Sequence, residues 1–263
     1  MQLLSARLSL IAGLTGAALA LAAVLGVRFG LINLGLGLGL MWPAAAICAF
    51  GFLAGMTWLF RALKINDSQD WRPATIGLAT ALLVLVPSLN DEIRRLASPP
   101  LIDITTDTGT PPQFIALLPL RAGAQNGPEY DGARKLFFDG KETTAVAVQK
   151  KMYAELRPRA GLFPPPKPGS PPAAPPKTIM FWRALEKAKA MGWHIVDFDE
   201  KSGRIEATDS SFFFGMTDDI AISVRPAGRI GARVDIRSKS RMGDNDGGAN
   251  AARIKAYVQS FSG

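Results

Sequence analysis

The sequence predicts an α+β protein in which about three N-terminal transmembrane helices precede a compact soluble domain, with an antiparallel sheet packed by helices. Three observations predict this: long apolar runs near the N-terminus, a rise in charge after them, and a C-terminal order of helix, strands and helix. Residues 1–99 contain seven Lys and Arg and four Asp and Glu, whereas residues 100–263 contain 23 and 18. We therefore divide the chain into a membrane anchor, 1–95, and a soluble domain, 100–263.

Three apolar segments are long enough to cross a bilayer. The first, about 8–27, is a run of 20 uncharged residues and spans a hydrocarbon layer of about 30 Å. Ala18-Leu19-Ala20 resembles a signal-peptide cleavage site, but the run exceeds a signal core and further spans follow it. The second span covers about 40–60, after a Gly-Leu repeat that either extends the helix or forms an interfacial turn. The third covers about 73–89.

These spans contain no Asp, Glu, Lys, Arg or His, the groups that transporters use to move ions or protons at membrane depth. We therefore expect the helices to anchor the protein in the lipid bilayer without conducting.

Orientation follows from the basic residues beside the spans. If the N-terminus is cytoplasmic, the inner side holds four basic residues and the outer side three. The inner group is Arg7, Arg61, Lys64 and Arg72, and the outer group is Arg28, Arg94 and Arg95. This predicts a multi-pass protein of the inner (plasma) membrane with its C-terminal domain extracytoplasmic, which means periplasmic in a bacterial cell envelope with two membranes.

The soluble domain begins with a short alternating segment after Leu101, which predicts an edge strand stopped by Pro111 and Pro112. Apolar spacing predicts helices at Thr143–Leu156 and Thr178–Met191, the second ended by Gly192. Four strands follow, at Trp193–Phe198, Gly203–Thr208, Ile220–Val224 and Ala232–Arg237, and a last helix covers about Gly248–Phe261. Short connections between the strands favour antiparallel hairpins, and the grouping of strands predicts an α+β sandwich.

A Pro-rich segment, 157–177, interrupts this domain, since nine of its 21 residues are proline. Such a composition favours extended polyproline and disfavours a packed core. It is a spacer or surface loop, or else a recognition site for a proline-binding partner.

The sequence lacks the residues that several classes of function require. The surplus of basic charge is not concentrated on one helix or face, so no nucleic-acid partner is predicted. His194 is the one histidine and Cys48 the one cysteine, which disfavours a zinc site and an intramolecular disulfide. There is no Gly-x-Ser-x-Gly elbow and no Walker or dinucleotide fingerprint, and Asp244-Asn-Asp-Gly247 lacks the spacing of a calcium loop. We expect no metal and no cofactor.

The segment from Asp235 to Ile254 runs from a strand through a turn into a helix and is densest in polar residues. Its turn could present N–H groups of Gly247, Gly248 and Ala249 to an anion, with arginines and serines beside them. Alternatively, Asp244 or Asp246 caps the helix. In that case the arginines pair with Asp218, Asp219 and Asp235.

Several motifs together resemble the domain of unknown function 1499 family over about residues 100–262. They are Asp103-Ile-Thr-Thr-Asp107, Pro111-Pro112-Gln113-Phe114, Gly203-x-Ile205-Glu-Ala-Thr208, Phe214-Gly-x-x-Asp218-Asp219, Val234-Asp-x-Arg-Ser-x-Ser-Arg-x-Gly243 and Gly248-Ala-Asn250-Ala-x-Arg253-Ile254. The resemblance implies N-terminal membrane segments in many members. It implies no reaction, substrate or cofactor.

The leading hypothesis is a membrane-anchored module whose extracytoplasmic domain binds an anionic small molecule, a lipid headgroup or an envelope protein. One alternative is a hydrolase that uses a carboxylate and arginine cluster, and another is a non-catalytic scaffold that uses the Pro-rich tract. The residues favour a role without catalysis. The candidate ligand-binding residues are Asp103, Asp107, Glu206, Asp218, Asp219, Asp235, Arg237, Ser238, Ser240, Arg241, Asn250 and Arg253. An open cleft at Glu206 or Asp219 would favour catalysis, and burial of each acid against an arginine would favour a structural role.

Overall fold

A computed structural model describes residues 2–65, 71–162 and 174–262. The chain divides into two compact units, one containing the three N-terminal helices and the other containing the sheet. Each unit is built by a different use of apolar residues.

The three N-terminal helices are α1 (Gln2–Arg28), α2 (Leu34–Ile65) and α3 (Arg72–Ala97). Each is long and apolar enough to span a membrane, which confirms the three predicted spans and makes this a membrane-anchored protein. The Gly-Leu repeat is helical and forms the first turns of α2, ahead of Pro43. Both α1 and α3 extend beyond the predicted spans, since polar residues at their ends remain helical outside the apolar run.

Small residues line the contacts among these helices. A Cβ atom added at Gly16 would lie 2.9 Å from the Ala44 carbonyl oxygen, and one added at Gly77 would lie 2.4 Å from the Ser9 carbonyl oxygen. Lipid tails are as apolar as leucine, so transmembrane helices associate through close packing, which small residues permit. The helices are therefore held by backbone approach, while their large apolar side chains are exposed.

The second unit contains a six-stranded sheet. Its strands are β1 (Asp103–Thr105), β4 (Arg159–Leu162), β5 (His194–Asp199), β6 (Arg204–Ser210), β7 (Thr217–Pro226) and β8 (Gly231–Ser240). The order is β1-β8-β7-β6-β5, with β4 also paired to β8, and all pairs are antiparallel. This confirms the predicted antiparallel sheet and the α+β class.

Three helices, α4 (Ala145–Met152), α5 (Pro176–Ala190) and α6 (Ala249–Gln259), accompany the sheet. Their apolar sides and one face of the sheet form the main core, which includes Phe181, Ile222, Ile236 and Ile254. Gly192 follows α5 with φ of 79°, a backbone conformation that favours glycine, and it ends the helix as predicted.

Two features differ from the sequence predictions. A hairpin of β2 (Lys135–Phe138) and β3 (Lys141–Thr144) occupies a region where no strand was predicted, and α4 starts after it, at Ala145. The Pro-rich segment was predicted as a spacer or surface loop, or as a recognition site, but its first part contains a strand that was not predicted. Arg159–Leu162 pairs with β8, because a proline-free stretch of extended chain can form an edge strand. Residues 163–173 lie outside the described residues.

Candidate functional site

Strand alternation divides the polar residues of β8 between two environments. Val234 and Ile236 pack in the main core, whereas Asp235, Arg237 and Lys239 lie on the opposite face of the sheet. These three charged residues are nonetheless almost completely buried. We call this second surface the charged face.

An irregular stretch of chain, residues 106–134, covers the charged face, and we call it the covering segment. Its Phe114 and Leu117 pack on Ala221 of β7. The carboxylate of Glu206 accepts hydrogen bonds of 2.9–3.0 Å from the backbone N–H groups of Ile115, Ala116 and Leu117. A fully buried carboxylate thus satisfies a turn whose N–H groups have no strand partner.

Ion pairs fix the covering segment at the end of the sheet where β8 finishes. The guanidinium group of Arg237 donates two hydrogen bonds to Asp103, at 2.8 and 2.9 Å, and a third to the Pro128 carbonyl oxygen at 2.9 Å. It also lies 4.6 Å from the centre of the Phe114 ring. Asp219 binds two arginines, Arg121 of the covering segment and Arg241.

A second group of charges lies toward the start of β8. Asp235 accepts hydrogen bonds from Arg225 and Arg233, and both arginines also reach Asp107 of the covering segment. Burial alone would raise the pKa of Asp107. Hydrogen bonds from Thr110, Arg225 and Gly109 lower it by more than burial raises it, so the net pKa lies well below its usual range. Asp107 is therefore ionised whenever the domain is folded near neutral pH.

The structure divides the twelve predicted ligand-binding residues between the two faces. Seven lie with the charged face: Asp103, Asp107, Glu206, Asp219, Asp235, Arg237 and Arg241. The other five lie on the helix side: Asp218, Ser238, Ser240, Asn250 and Arg253. On that side Asn250 bonds to both serines, and Arg253 pairs with Asp218 at 2.7 Å and with Asp209 at 2.9 Å. Strand β8 contributes residues to both groups, so residues that are close in sequence do not all lie on the same face of the sheet.

The turn before α6 satisfies its own N–H groups. Gly247 N donates to Asn245 Oδ1 at 2.9 Å, and Gly248 N and Asn250 N donate to the two carboxylate oxygens of Asp246 at 2.7 and 3.0 Å. Burial raises the pKa of Asp246 to about 6, although these N–H groups oppose the shift. The arrangement corresponds to the capping alternative, with Asp246 as the cap.

Residues 103–261 match a family described as "Protein of unknown function (DUF1499)", which is 159 of the 263 residues. The chain belongs to the DUF1499 family. No curated protein matches it. The match confirms the resemblance noted in the motifs, and it covers the whole sheet of the DUF1499 domain.

The charged face of the DUF1499 domain has more cations than carboxylates at the end where β8 finishes. Asp103 and Asp219 are shared by four cations: Arg121, Arg237, Lys239 and Arg241. The next acid, Asp131, is itself paired with Arg134 at 2.6 Å. Two positive charges in this buried cluster therefore lack a carboxylate of their own.

Lys239 brings this excess of charge to a cavity. Its side chain is 4% exposed, and its Nζ donates to the Glu129 carbonyl oxygen at 2.6 Å and lies 3.3 Å from Asp103. Burial lowers the pKa of Lys239, and repulsion from Arg237 adds to the effect against the attraction of Asp103. A polar cavity of about 290 Å³ adjoins it, lined by Ile102, Gln125, Asn126, Gly127, Asp131, Arg134, Lys239, Gly243 and Asp244. We call this the Lys239 pocket.

Metal ligands do not cluster in the part of the chain that the structure describes, where no group of three His, Cys, Asp or Glu could hold an ion. Two of the carboxylates considered for acid and base chemistry, Glu206 and Asp219, do not face a cleft either. Glu206 and Asp219 have no exposed surface, and each contacts an arginine. Both acids meet the geometric criterion for a structural role.

Sequence reasoning missed most of the cations in the site, namely Arg121, Arg134, Arg225, Arg233 and Lys239. The alternation of Arg233, Asp235, Arg237 and Lys239 was visible, but such a stripe normally faces water. Recognising it as buried would have required knowing that residues 106–134 fold over it. Few local features in that stretch predict this.

Proposed function

We propose that the DUF1499 domain is a binding module, held at a bilayer by α1–α3, that takes a phosphate-type anion into the Lys239 pocket. The observation that carries this proposal is the excess of buried cations, in which four cations share two carboxylates. An anion would neutralise charge that the protein leaves unpaired, and burial strengthens such a contact. The ligand would be free phosphate or the phosphate of a lipid headgroup.

The polar lining supports recognition of an oxyanion. Lys239 uses two of its three N–H groups on Glu129 and Asp103, and Arg134 lies in the same wall. Asn126 is held by hydrogen bonds from its amide to the Ser240 and Gly243 carbonyl oxygens, at 3.2 and 2.9 Å. Two acids also line the pocket: Asp131 is paired with Arg134 at 2.6 Å, and Asp244 is exposed. The pocket therefore favours an anion small enough to stay at the Lys239 side. Asp103, Arg237 and Arg241 belong to the proposal because they are part of the charged cluster that includes Lys239.

Titration calorimetry on the full chain in a non-ionic detergent tests the proposal, with inorganic phosphate and a short-chain phosphatidic acid as probes. Lys239→Met should weaken binding at least about tenfold, because one charge-assisted hydrogen bond contributes about 1.5–3 kcal/mol. Lys189→Met, at an exposed lysine of α5, is the matched control and should bind as the parent does. Tighter binding of the lipid than of phosphate would assign the headgroup as the source. Equal affinity of the parent and Lys239→Met, or no binding of either probe, would refute the pocket.

We also propose that the domain lies outside the cytoplasm, in the periplasm of a bacterium with two membranes. The ends of α2 and α3 on either side of their connection carry Arg61, Lys64 and Arg72, the densest basic group beside the spans. Alkaline phosphatase fused after residue 263 should be active in cells, and the same enzyme fused after residue 66 should be inactive. The opposite pattern would reverse the orientation.

A further inference from the structure

The connection between β6 and β7 is unusually apolar for a hairpin tip. Residues 211–216 read Ser-Phe-Phe-Phe-Gly-Met. Phe212 is 85% exposed and Phe213 51% exposed, and their rings pack edge to face with centres 5.4 Å apart. Turn residues at a surface are usually small and polar, and contiguous exposed apolar groups mark a binding surface.

The tip is a closed structure and not a loose loop. Ser211 N donates to the Met216 carbonyl oxygen at 2.8 Å, and Met216 N donates back to Ser211 Oγ at 3.0 Å. Just before it, the hydroxyl groups of Ser210 and Thr217 lie 3.0 Å apart. The aromatic rings are thus presented by an ordered turn on a two-strand support.

The sheet register places this tip at the end of the sheet where the chain enters from the membrane helices. Asp103 pairs with Lys239, Lys239 with Asp219, and Asp219 with Thr208, so these four residues form one row across the sheet. The tip begins three residues beyond Thr208, about 10 Å from this row. The entry of the chain at Asp103 and the aromatic tip therefore lie at the same end.

The connection to the membrane helices is short. Helix α3 ends at Ala97 and β1 starts at Asp103, so residues 98–102 join them and reach at most about 18 Å. Met242, which follows β8 at this same end, is 41% exposed and adds a further apolar group. A domain tethered this closely meets the bilayer at a high effective concentration, so a small apolar surface suffices for contact.

We propose that the hairpin tip formed by residues 211–216 inserts its phenylalanine rings into the interfacial layer of the bilayer that holds α1–α3. The occupant is the lipid surface itself. Aromatic rings are favoured at the interface, where apolar area leaves water and polar backbone groups stay near the headgroups. Insertion gives the domain a second attachment, so that it is held at two points on the membrane.

The test uses the full chain in lipid nanodiscs, in a Cys48→Ala background so that one new cysteine carries a fluorophore. The label is placed at Phe212→Cys. The matched control is Ile230→Cys, at the hairpin between β7 and β8, because Ile230 is also exposed and lies at the opposite end of these strands, about 30 Å away. Lipids that carry a nitroxide on the acyl chain quench a fluorophore only when it lies at the bilayer.

Quenching at position 212 should exceed quenching at position 230 at least threefold. Replacing Phe213 and Phe214 by serine in the Phe212→Cys protein should bring the two values together, because the remaining rings drive insertion. Equal quenching at 212 and 230 in the parent would overturn the proposal. So would strong quenching at 212 that survives the loss of both neighbouring rings, since the tether alone would then explain it.

Discussion

Ile236 and Arg237 are neighbours on β8, and neither has exposed surface, yet they lie on opposite faces of the sheet. Ile236 joins an apolar core in which any well-fitting hydrocarbon serves. Arg237 makes four hydrogen bonds and two ring contacts in fixed directions, to five residues: Asp103, Pro112, Pro128, Phe114 and Tyr130. Apolar contacts stabilise the fold but do not fix the direction in which groups approach each other. The hydrogen bonds and ion pairs of the charged face are directional, and so the irregular covering segment can adopt one conformation.

The largest effect that this comparison predicts is on the charged face. Arg237→Met should lower the free energy of unfolding by about 3–5 kcal/mol, because it leaves the buried carboxylate of Asp103 without its main partner. Urea unfolding of the full chain in detergent measures it. The double variant Arg237→Met with Asp103→Leu should recover part of the loss, since no unpaired acid remains, although Lys239 also loses its carboxylate partner. A double variant as unstable as the single one would show that the pair matters for shape and not for charge.

Acids on the two sides of the sheet should respond oppositely to pH. The pKa of Asp246 is raised to about 6, above its unfolded value near 4. The contribution of Asp246 should therefore lower the free energy of unfolding by up to about 3 kcal/mol as the pH rises from about 4 to about 6. The pKa of Asp107 is lowered, so its stabilisation is present above pH about 4 and is lost as pH falls below that.

Unfolding curves of Asp246→Asn and Asp107→Asn against the parent at each pH isolate these two contributions. The difference curve for Asp246→Asn should change between pH 4 and 6, and that for Asp107→Asn should change below pH 4. Two curves with the same sign of slope would contradict the contrast between the faces.

Glu206 connects the sheet to the covering segment, and its neutral analogue should loosen that connection. In Glu206→Gln, one acceptor oxygen replaces two, so at least one of the buried N–H groups of residues 115–117 loses its bond, at a cost of about 2 kcal/mol. Hydrogen exchange followed by mass spectrometry should show faster exchange in residues 106–134 and unchanged exchange in α5. Uniform acceleration over the domain would point to global destabilisation instead.

The smallest effect belongs to the apolar face. Ile236→Val removes one methylene from a core of many contacts and should cost about 1 kcal/mol. Because no buried charge is left unpaired, the loss should be well below that from Arg237→Met when urea unfolding of both variants is compared. Equal losses for these adjacent residues would remove the distinction between the two faces.

Much of the fold was predictable because it depends on local pattern. Uncharged runs identified α1–α3, and alternation identified β5–β8, since each signal arises within a few residues. The hairpin of β2 and β3 was missed because Lys135–Thr144 carries mostly polar residues on strands with exposed sides. Strand β4 was missed because its composition merged with the prolines that follow.

The candidate site was less predictable for a different reason. Arg237 and Ser238 were grouped by sequence, but alternation sends their side chains to opposite faces, so proximity along the chain misleads within a strand. Arg121 and Lys239 meet Asp219 and Asp103 through contacts nearly a hundred or more residues apart in sequence. Such partnerships depend on the path of the covering segment, which contains little regular structure to read.

The two edges of the main sheet are protected from strand addition in different ways. On one side β1 and β4 divide the outer edge of β8 between them, and the Thr106 hydroxyl and backbone bridge Ile236 in the gap. On the other side β5 carries a bulge between Ile195 and Asp197, and its charged Asp197 and Asp199 discourage strand addition. Molecules anchored in one bilayer collide often in two dimensions. Neither border offers them a long, flat strand on which to join sheets, so crowding on the membrane can proceed without edge-to-edge aggregation of this sheet.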